Sequence, residues 1–490
     1  MFTSRQLILL LLVCGFLAGC TVESPAFATV ESAGAEHIPL ATERPTATAT
    51  APSPAATPVP PQSPMPTLAD ITDTPTATSA PAASPVPSPE ICLQVTEIPR
   101  TECEALAAIY LHNSDSWQLT FAREEPWLLS DKPCNWSGVR CTDGHITLLL
   151  LTGSGGENDS LPPQIGNLPH LEELAIVYFN WRTLPPEIGN LTQLKQLVIE
   201  GTTTEYLPAE IGNLTNLEDI QIANTNLIEL PPEIGNLTNL TRLYLVNNNL
   251  HSLPPTIGSL VNLDSLDVAV NNLSSLPPEI GDLANLTLLG ASGNYLTSLP
   301  PEIGQLSKLK SLYLSNNKLS GLPSEFSQLT ELRSLSLLNN DWLAFPPAIF
   351  ALPNLTELAI WSPFLTIVPP QIADFEHLYE LIIAPLIDYD GPRNGITTLP
   401  AELWQMSQLS SLSISYTSLT EVPPEIGQLT FLTRLDLSHN QLTTLPPEIG
   451  SLSRLLSLRL EGNVFDTLPQ EICAVLPATA TIEPRQVCAD

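Results

Sequence analysis

Residues 230–252 read LPPEIGNLTNLTRLYLVNNNLHS, and this 23-residue unit recurs along most of the chain. Aligned on its opening apolar-Pro pair, it restarts at Leu161, Leu184, Leu207, Leu230, Leu253, Leu276, Leu299, Leu322, Phe345, Val368, Leu399, Val422, Leu445 and Leu468. Every step is 23 residues except Val368 to Leu399, which is 31. A period this short and this regular excludes a conventional globular core: one unit cannot bury its own leucines, and only stacking successive copies does so.

Within the unit, Leu243 and Leu245 alternate with Arg242, Tyr244 and Val246, so a short strand buries one face and shows the other. Neighbouring strands at ~4.8 Å form one parallel sheet, and fourteen of them, one from 146–151 and thirteen from 174–176 to 458–460, extend on the order of 65 Å. Asn248, Asn271, Asn294, Asn317, Asn340, Asn440 and Asn463 recur at one position, where an amide can pair backbone groups left open by the turning chain. Pro-Pro-Glu starts a short helical turn on the outer side, where Pro needs no N–H and Glu meets the positive helix end. Gly189 and its equivalents are then expected to reverse the chain.

The internal pattern L-x-x-L-x-L-x-x-N-x-L, as in Leu240, Leu243, Leu245, Asn248 and Leu250, resembles the leucine-rich-repeat family over residues 146–488. The resemblance implies an α/β repeat fold: a leucine-rich-repeat solenoid with a curved parallel sheet, a short helical or irregular convex side and capped ends. It also implies a binding module whose concave face takes a protein partner.

The 490 residues carry a formal charge of −33, which excludes a nucleic-acid partner, since phosphate recognition needs basic patches. Much of the acidity is one outer column, Glu187, Glu210, Glu233, Glu279, Glu302, Glu425 and Glu448, read either as a solvated edge or as a cation-binding stripe.

At the N-terminus, Arg5, the apolar run 7–17 and Leu17-Ala18-Gly19-Cys20 form an export signal. It resembles a bacterial lipoprotein signal, which implies that 1–19 is removed and that Cys20 receives lipid. The expected location is therefore outside the cell, held to the membrane by that lipid. Residues 20–89 follow as a Pro/Thr/Ala/Ser-rich stalk, with thirteen prolines from Pro45 to Pro89 and too few apolar residues for a core. About 70 residues of flexible chain reach roughly 45 Å. The remaining segments are a cap at 90–145, the repeats at 146–467 and a second cap at 468–490.

Of eight cysteines, Cys14 leaves with the signal and Cys20 carries lipid. The other six sit only at the ends of the solenoid, and local closure pairs Cys92 with Cys103, Cys134 with Cys141 and Cys473 with Cys488. No Cys/His spacing suits zinc. In the cap, 105–111 reads as a short helix with Thr101 as its N-cap. Cys134-Asn135-Trp136-Ser137-Gly138-Val139-Arg140-Cys141 resembles the plant-type N-terminal cap of leucine-rich-repeat receptors, with Trp117, Trp127 and Trp136 as lid packing.

The repeats depart from their pattern within 322–417. The outer glycine becomes Ser327, Phe350, Ala373 and Trp404, the Asn position becomes Pro363, Leu386 and Thr417, and eight extra residues fall within 387–395. A specific contact site and neutral repeat decay both account for this. Register places Glu173, Gln196, Asp219, Arg242 and Ser265, then Ala175, Val198, Gln221, Tyr244 and Asp267, on the outward face. Tyr178, Tyr313, Trp361, Tyr416, Arg434, Asp436 and Arg459 follow further along. Trp181 and Trp342 fill leucine slots and belong to the core. The candidate ligand-binding residues are Tyr244, Tyr313, Trp361, Asp388, Tyr389 and Arg393. They suit a protein partner, or a surface glycan if the exposed rings form one stripe. The seven histidines are scattered, and no Ser/His/Asp set emerges, so neither enzyme activity nor a cofactor is expected. Asp388-Tyr389-Asp390-Gly391 lacks the further acidic positions of a calcium loop, and no metal site is expected.

Overall fold

The computed structural model describes residues 89–112, 127–153, 160–385, 391–465 and 481–483. The signal and stalk, Cys20, Trp117, Asp388, Tyr389 and the pair Cys473 and Cys488 lie outside the described residues.

One sheet of sixteen strands runs in strict sequence order. β1 (Val139–Thr142) and β2 (His145–Thr152) form an antiparallel hairpin; every later pairing is parallel. The first group of repeat strands is β3 (Glu173–Val177), β4 (Gln196–Glu200), β5 (Asp219–Ala223), β6 (Arg242–Tyr244), β7 (Ser265–Asp267), β8 (Leu288–Gly290) and β9 (Ser311–Tyr313). The second is β10 (Ser334–Leu338), β11 (Glu357–Trp361), β12 (Glu380–Ile383), β13 (Ser411–Ile414), β14 (Arg434–Asp436) and β15 (Ser457–Arg459), closed by β16 (Thr481–Glu483). The expected fourteen strands are thus β2 to β15, and one strand is added at each end.

Register is constant: Leu243 pairs with Leu266, which pairs with Leu289 and then Leu312, so each leucine column is continuous. These side chains are fully buried, each contributing roughly 1.5–3 kcal/mol of transfer energy that a single repeat could not gain alone. The outer Pro-Pro-Glu-Ile-Gly segments form single 3-10 turns, such as Pro232–Asn236, whose Ile234 points into the core.

Three expectations about turn chemistry are corrected. The outer glycines do not reverse the chain through a left-handed backbone. They are needed for close packing, because a Cβ on Gly189 would lie 2.7 Å from the Glu210 carbonyl of the next repeat. The left-handed positions lie at the strand exits, directly before the Asn column: Asn224, Asn247, Val270, Asn316, Asn339 and His439 have φ between 51° and 57°. Asn tolerates this conformation through local side-chain bonds, whereas a β-branched Val there is held by its surroundings.

The Asn column works as a ladder. Asn271 Nδ2 donates to the Leu245 carbonyl of the preceding repeat at 2.8 Å, and its Oδ1 accepts the Leu250 N–H at 3.0 Å. Asn294, Asn317 and Asn340 repeat the arrangement. The repeat with the insertion does not lose its Asn to Leu386. Its extra residues fall before the position that Asn394 occupies by backbone register: its N–H donates to Tyr416 O at 3.0 Å, as Asn271 N–H does to Gly293 O, but its side chain makes no ladder bond, Oδ1 accepting the local Ile396 N–H and Nδ2 being buried without a partner. Thr417 remains within the ladder by hydroxyl, donating to Asn440 Oδ1 at 2.5 Å.

At the N-terminal end, α1 (Arg100–His112) and the β1–β2 hairpin cover the first repeat. Disulfides join Cys92 to Cys103 and Cys134 to Cys141. Trp127 and Trp136 are buried and stacked at 5.8 Å, and Trp127 Nε1 donates to Ser137 O. Thr101 is not a cap; it lies in the first turn of a helix that starts earlier than its apolar pattern, with the Glu102 N–H donating to Pro99 O. Trp181 and Trp342 are core residues, as expected.

Candidate binding surface

The outward strand positions form three columns that run across the sheet, and each side chain faces its register partner about 4.8 Å away. In the middle column Tyr244 pairs with Asp267, Asp267 with Gly290 and Gly290 with Tyr313. The two tyrosines therefore stand three strands apart, roughly 14 Å, with an acidic residue and a residue without side chain between them.

Gly290 is what leaves room there. A Cβ on it would lie 2.5 Å from Asp267 Oδ1, so the Asp267 carboxylate leans across the space that any other residue would fill. That carboxylate accepts the Ala269 N–H at 2.9 Å, and no Lys, Arg or His of the described residues forms an ion pair with it. Burial pushes its pKa up, against the pull of the Ala269 hydrogen bond. Burial also raises the Tyr244 phenol, with the Asp219 and Asp267 carboxylates adding to the rise and the Ser265 hydrogen bond and Arg242 opposing it.

From β3 to β9 the outward positions hold the carboxylates of Glu173, Glu200, Asp219 and Asp267 against one guanidinium, Arg242. Arg242 is already committed: its Nε and a terminal nitrogen lie 2.9 and 2.7 Å from Asp219 Oδ2. Glu200 is shifted upward by burial, partly offset by its hydrogen bond with Asn224. Glu173 Oε2 and Asp219 Oδ1 are buried without a hydrogen-bond partner. This half of the face is acidic.

The other half is different. Trp361 keeps the outward register, pairing with Leu338, yet it is fully buried. It forms a separate apolar cluster with Leu338 and Ala359, flanked by Ile382 and Tyr416. The expectation of an exposed Trp361 is corrected: strand alternation fixes the side of the sheet, whereas exposure depends on what the neighbouring repeats place around it. Arg393 is exposed and donates to Gly462 O at 2.9 Å, which ties the insertion to the exit edge of β15. Glu380 accepts from Arg434 and Ser411 at 3.1 and 3.0 Å. Of the four candidate ligand-binding residues among the described ones, Tyr244 and Tyr313 share one row of the sheet, and Trp361 and Arg393 lie apart from it. Asp267 and Gly290 complete that row; register alone could have found them.

At the edge where strands begin, a shallow groove of about 660 Å³ runs past Asn216, Asn239, Asn262, Asn285 and Lys308. Its amides form a second ladder, with Asn216, Asn239 and Asn262 donating to Thr192, Thr215 and Thr238 carbonyls at 2.7–2.9 Å. These groups satisfy one another, which is the behaviour of scaffold. Among the described residues no set of three or more His, Cys, Asp or Glu is placed to hold a metal ion.

A one-turn-per-repeat solenoid with a parallel inner sheet defines a class of binding scaffolds. A family profile described as leucine-rich repeat region matches residues 145–226, 257–368 and 365–475, and a second, leucine rich repeat, matches 239–260. The chain belongs to the leucine-rich-repeat family. It is similar to a leucine-rich-repeat protein of Leptospira interrogans at 36% identity and a TM-score of 0.60, covering 66% of this chain and 83% of that one. It is also similar, at 29% identity and a TM-score of 0.53, to the ectodomain of the membrane receptor kinase GASSHO1/SCHENGEN3 from Arabidopsis thaliana, solved in complex with Casparian strip integrity factor 2. That match covers 70% of this chain and 45% of the receptor ectodomain. No catalytic family is indicated, and the fold suggests protein–protein interaction.

Proposed function

We propose that this chain is a lipid-anchored cell-surface protein that binds a protein partner on the concave face of β3 to β9. The observation that carries this reading is the row Tyr244–Asp267–Gly290–Tyr313, where two half-exposed rings frame a partly buried, uncompensated carboxylate on an otherwise rigid sheet. A preformed sheet loses little order on binding, and aromatic anchors beside polar groups suit a protein surface. The receptor ectodomain solved with its factor supports a protein ligand by similarity. A polysaccharide platform is less favoured, because Trp361 does not extend the two tyrosines into a continuous aromatic stripe.

The lipid anchor rests on Cys20 and the apolar run before it. Two measurements test the proposal. Cys20→Ser should move the full chain from the membrane fraction to the soluble one and remove the lipid mass. Capture of surface proteins by the full chain should drop at least tenfold for Tyr244→Ala/Tyr313→Ala and stay unchanged for Leu343→Ala, an exposed apolar side chain outside the strands. Capture indifferent to the tyrosines would overturn the reading.

A further inference from the structure

We infer that the Asp267 carboxylate, which lies over Gly290 in the row between Tyr244 and Tyr313, is a receptor for one cationic side chain, an arginine or lysine of the bound protein. The inference rests on the concave-face reading and adds the chemistry of the contact. Asp267 Oδ1 takes a backbone N–H, and the carboxylate has no cation of its own among the described residues. The nearest guanidinium on the face, Arg242, is held by Asp219 two strands away from Asp267 on the far side of the row.

Three features select a cation. A partly buried carboxylate without a counter-ion carries a desolvation penalty that an incoming positive group offsets. The absence of a side chain at Gly290 lets the Asp267 carboxylate lie over that strand, on the side of Tyr313, where a planar guanidinium or an ammonium can meet it from above the sheet. Tyr244 stands one strand before Asp267 and Tyr313 one strand beyond Gly290, so an aromatic residue lies in the row on either side, and aromatic rings favour a nearby cation. The surrounding field has the same sign, with Glu173, Glu200 and Asp219 on the same half of the sheet and a chain charge of −33, so a basic segment is drawn in and an acidic one repelled.

The test uses the full chain and a fluorescent acetyl-(Gly-Arg)4-amide peptide, with its citrulline counterpart as a neutral isostere, at about 0.15 M salt so that diffuse attraction is screened. The arginine peptide should bind at least tenfold more tightly than the citrulline peptide. Asp267→Asn should abolish that preference, as should Gly290→Val, whose side chain displaces the carboxylate from its place over the strand. Asp436→Asn, a carboxylate in the same column on β14, should leave it within twofold. Circular dichroism melts confirm that each variant is folded, and Asp267→Asn, isosteric on the surface of the sheet, keeps the test valid if Gly290→Val unfolds. No preference for arginine, a preference that survives Asp267→Asn, or one lost equally in Asp436→Asn would each overturn the inference. A natural partner whose capture depends on Tyr244 and Tyr313 but not on Asp267 would overturn it while leaving the proposed function standing.

Discussion

The Glu102 carboxylate, carried by α1, lies 2.7 Å from His145 Nδ1 at the start of β2. Its second oxygen accepts the Ile146 N–H at 2.9 Å, so one side chain pairs both the ring and the backbone where the cap meets the first repeat. Glu102 is 1% exposed, whereas the His145 ring also packs at a tilt of 36° against His170, 3.8 Å between centroids, and remains partly open. Glu102→Ala leaves the Ile146 N–H without its partner in a buried site and should cost roughly 1–3 kcal/mol, read as a lowered urea midpoint. A midpoint unchanged from wild type would show that the cap is held by its disulfides and tryptophans alone.

Asn294 makes the ladder bonds on both sides, donating to Val268 O at 3.0 Å and accepting the Leu273 N–H at 2.9 Å. Asn294→Ala strands a buried carbonyl and a buried N–H of the preceding repeat at once, and a loss of about 2 kcal/mol is expected. Asn249→Ala, at an exposed position two repeats earlier, should change stability by less than about 0.5 kcal/mol. Thermal melts of the two variants in parallel separate ladder chemistry from Asn composition.

Two glycines that look alike in sequence should behave oppositely. A Cβ at Gly212 meets the Glu233 carbonyl and Cβ at 2.7 Å, so Gly212→Ala forces adjacent turns apart and should cost about 1–3 kcal/mol. At Gly321 nothing lies within 4 Å and the backbone is not left-handed, so Gly321→Ala should be neutral or add up to about 1 kcal/mol by restricting the unfolded chain. Equal effects in a denaturant series would refute the packing account of the outer glycine.

Burial raises the carboxyls of Asp267, Glu200 and Glu380 in the folded state. A raised folded pKa means that the native state holds the proton more tightly than the unfolded chain. Its stabilising effect is therefore complete below the ordinary values of 3.8 for Asp and 4.5 for Glu, and is lost as pH rises through the folded values. The melting temperature should rise on acidification from pH 7 towards the ordinary carboxyl range, where falling self-repulsion acts in the same direction. Asp267→Asn should make the rise smaller; a wild-type melting temperature that falls steadily over this range would contradict the assignment.

Tyr379 titrates at the other extreme. Burial, together with the hydrogen bond that its hydroxyl donates to Glu357, pushes its pKa up to about 12. Spectrophotometric titration should show one tyrosine ionising well after the rest, and Tyr379→Phe should remove that late step. The same sign argument applies, so this contribution to stability is lost as pH rises from about 10 to about 12.

The period of 23, the leucine columns and the place of Asn248 in a ladder were all legible, because each follows from alternation and a fixed repeat, and one unit's geometry copies itself to the next. The row of Tyr244 and Tyr313 was legible for the same reason. Trp361 was not: its register was right, and its burial came from Ala359 on its own strand, Leu338 and Ile382 on the two neighbouring strands and Tyr416 just past β13. Asn394 was hidden because counting 23 residues from Pro363 lands inside an insertion, and only the bond to Tyr416 identifies the residue that resumes the backbone register. The left-handed column left a trace in the pairs Asn247–Asn248, Asn316–Asn317 and Asn339–Asn340, but Val270 and His439 carry no such mark.

Local chemistry written once and copied along the chain therefore set the architecture: which face of each strand is apolar, where each turn falls and how far the stack extends. The tertiary structure decided which outward residues stay accessible and which carboxylates lack a counter-ion. Those properties depend on side chains contributed by neighbouring repeats, about 4.8 Å apart in space but 23 residues apart in sequence. No single repeat contains that information.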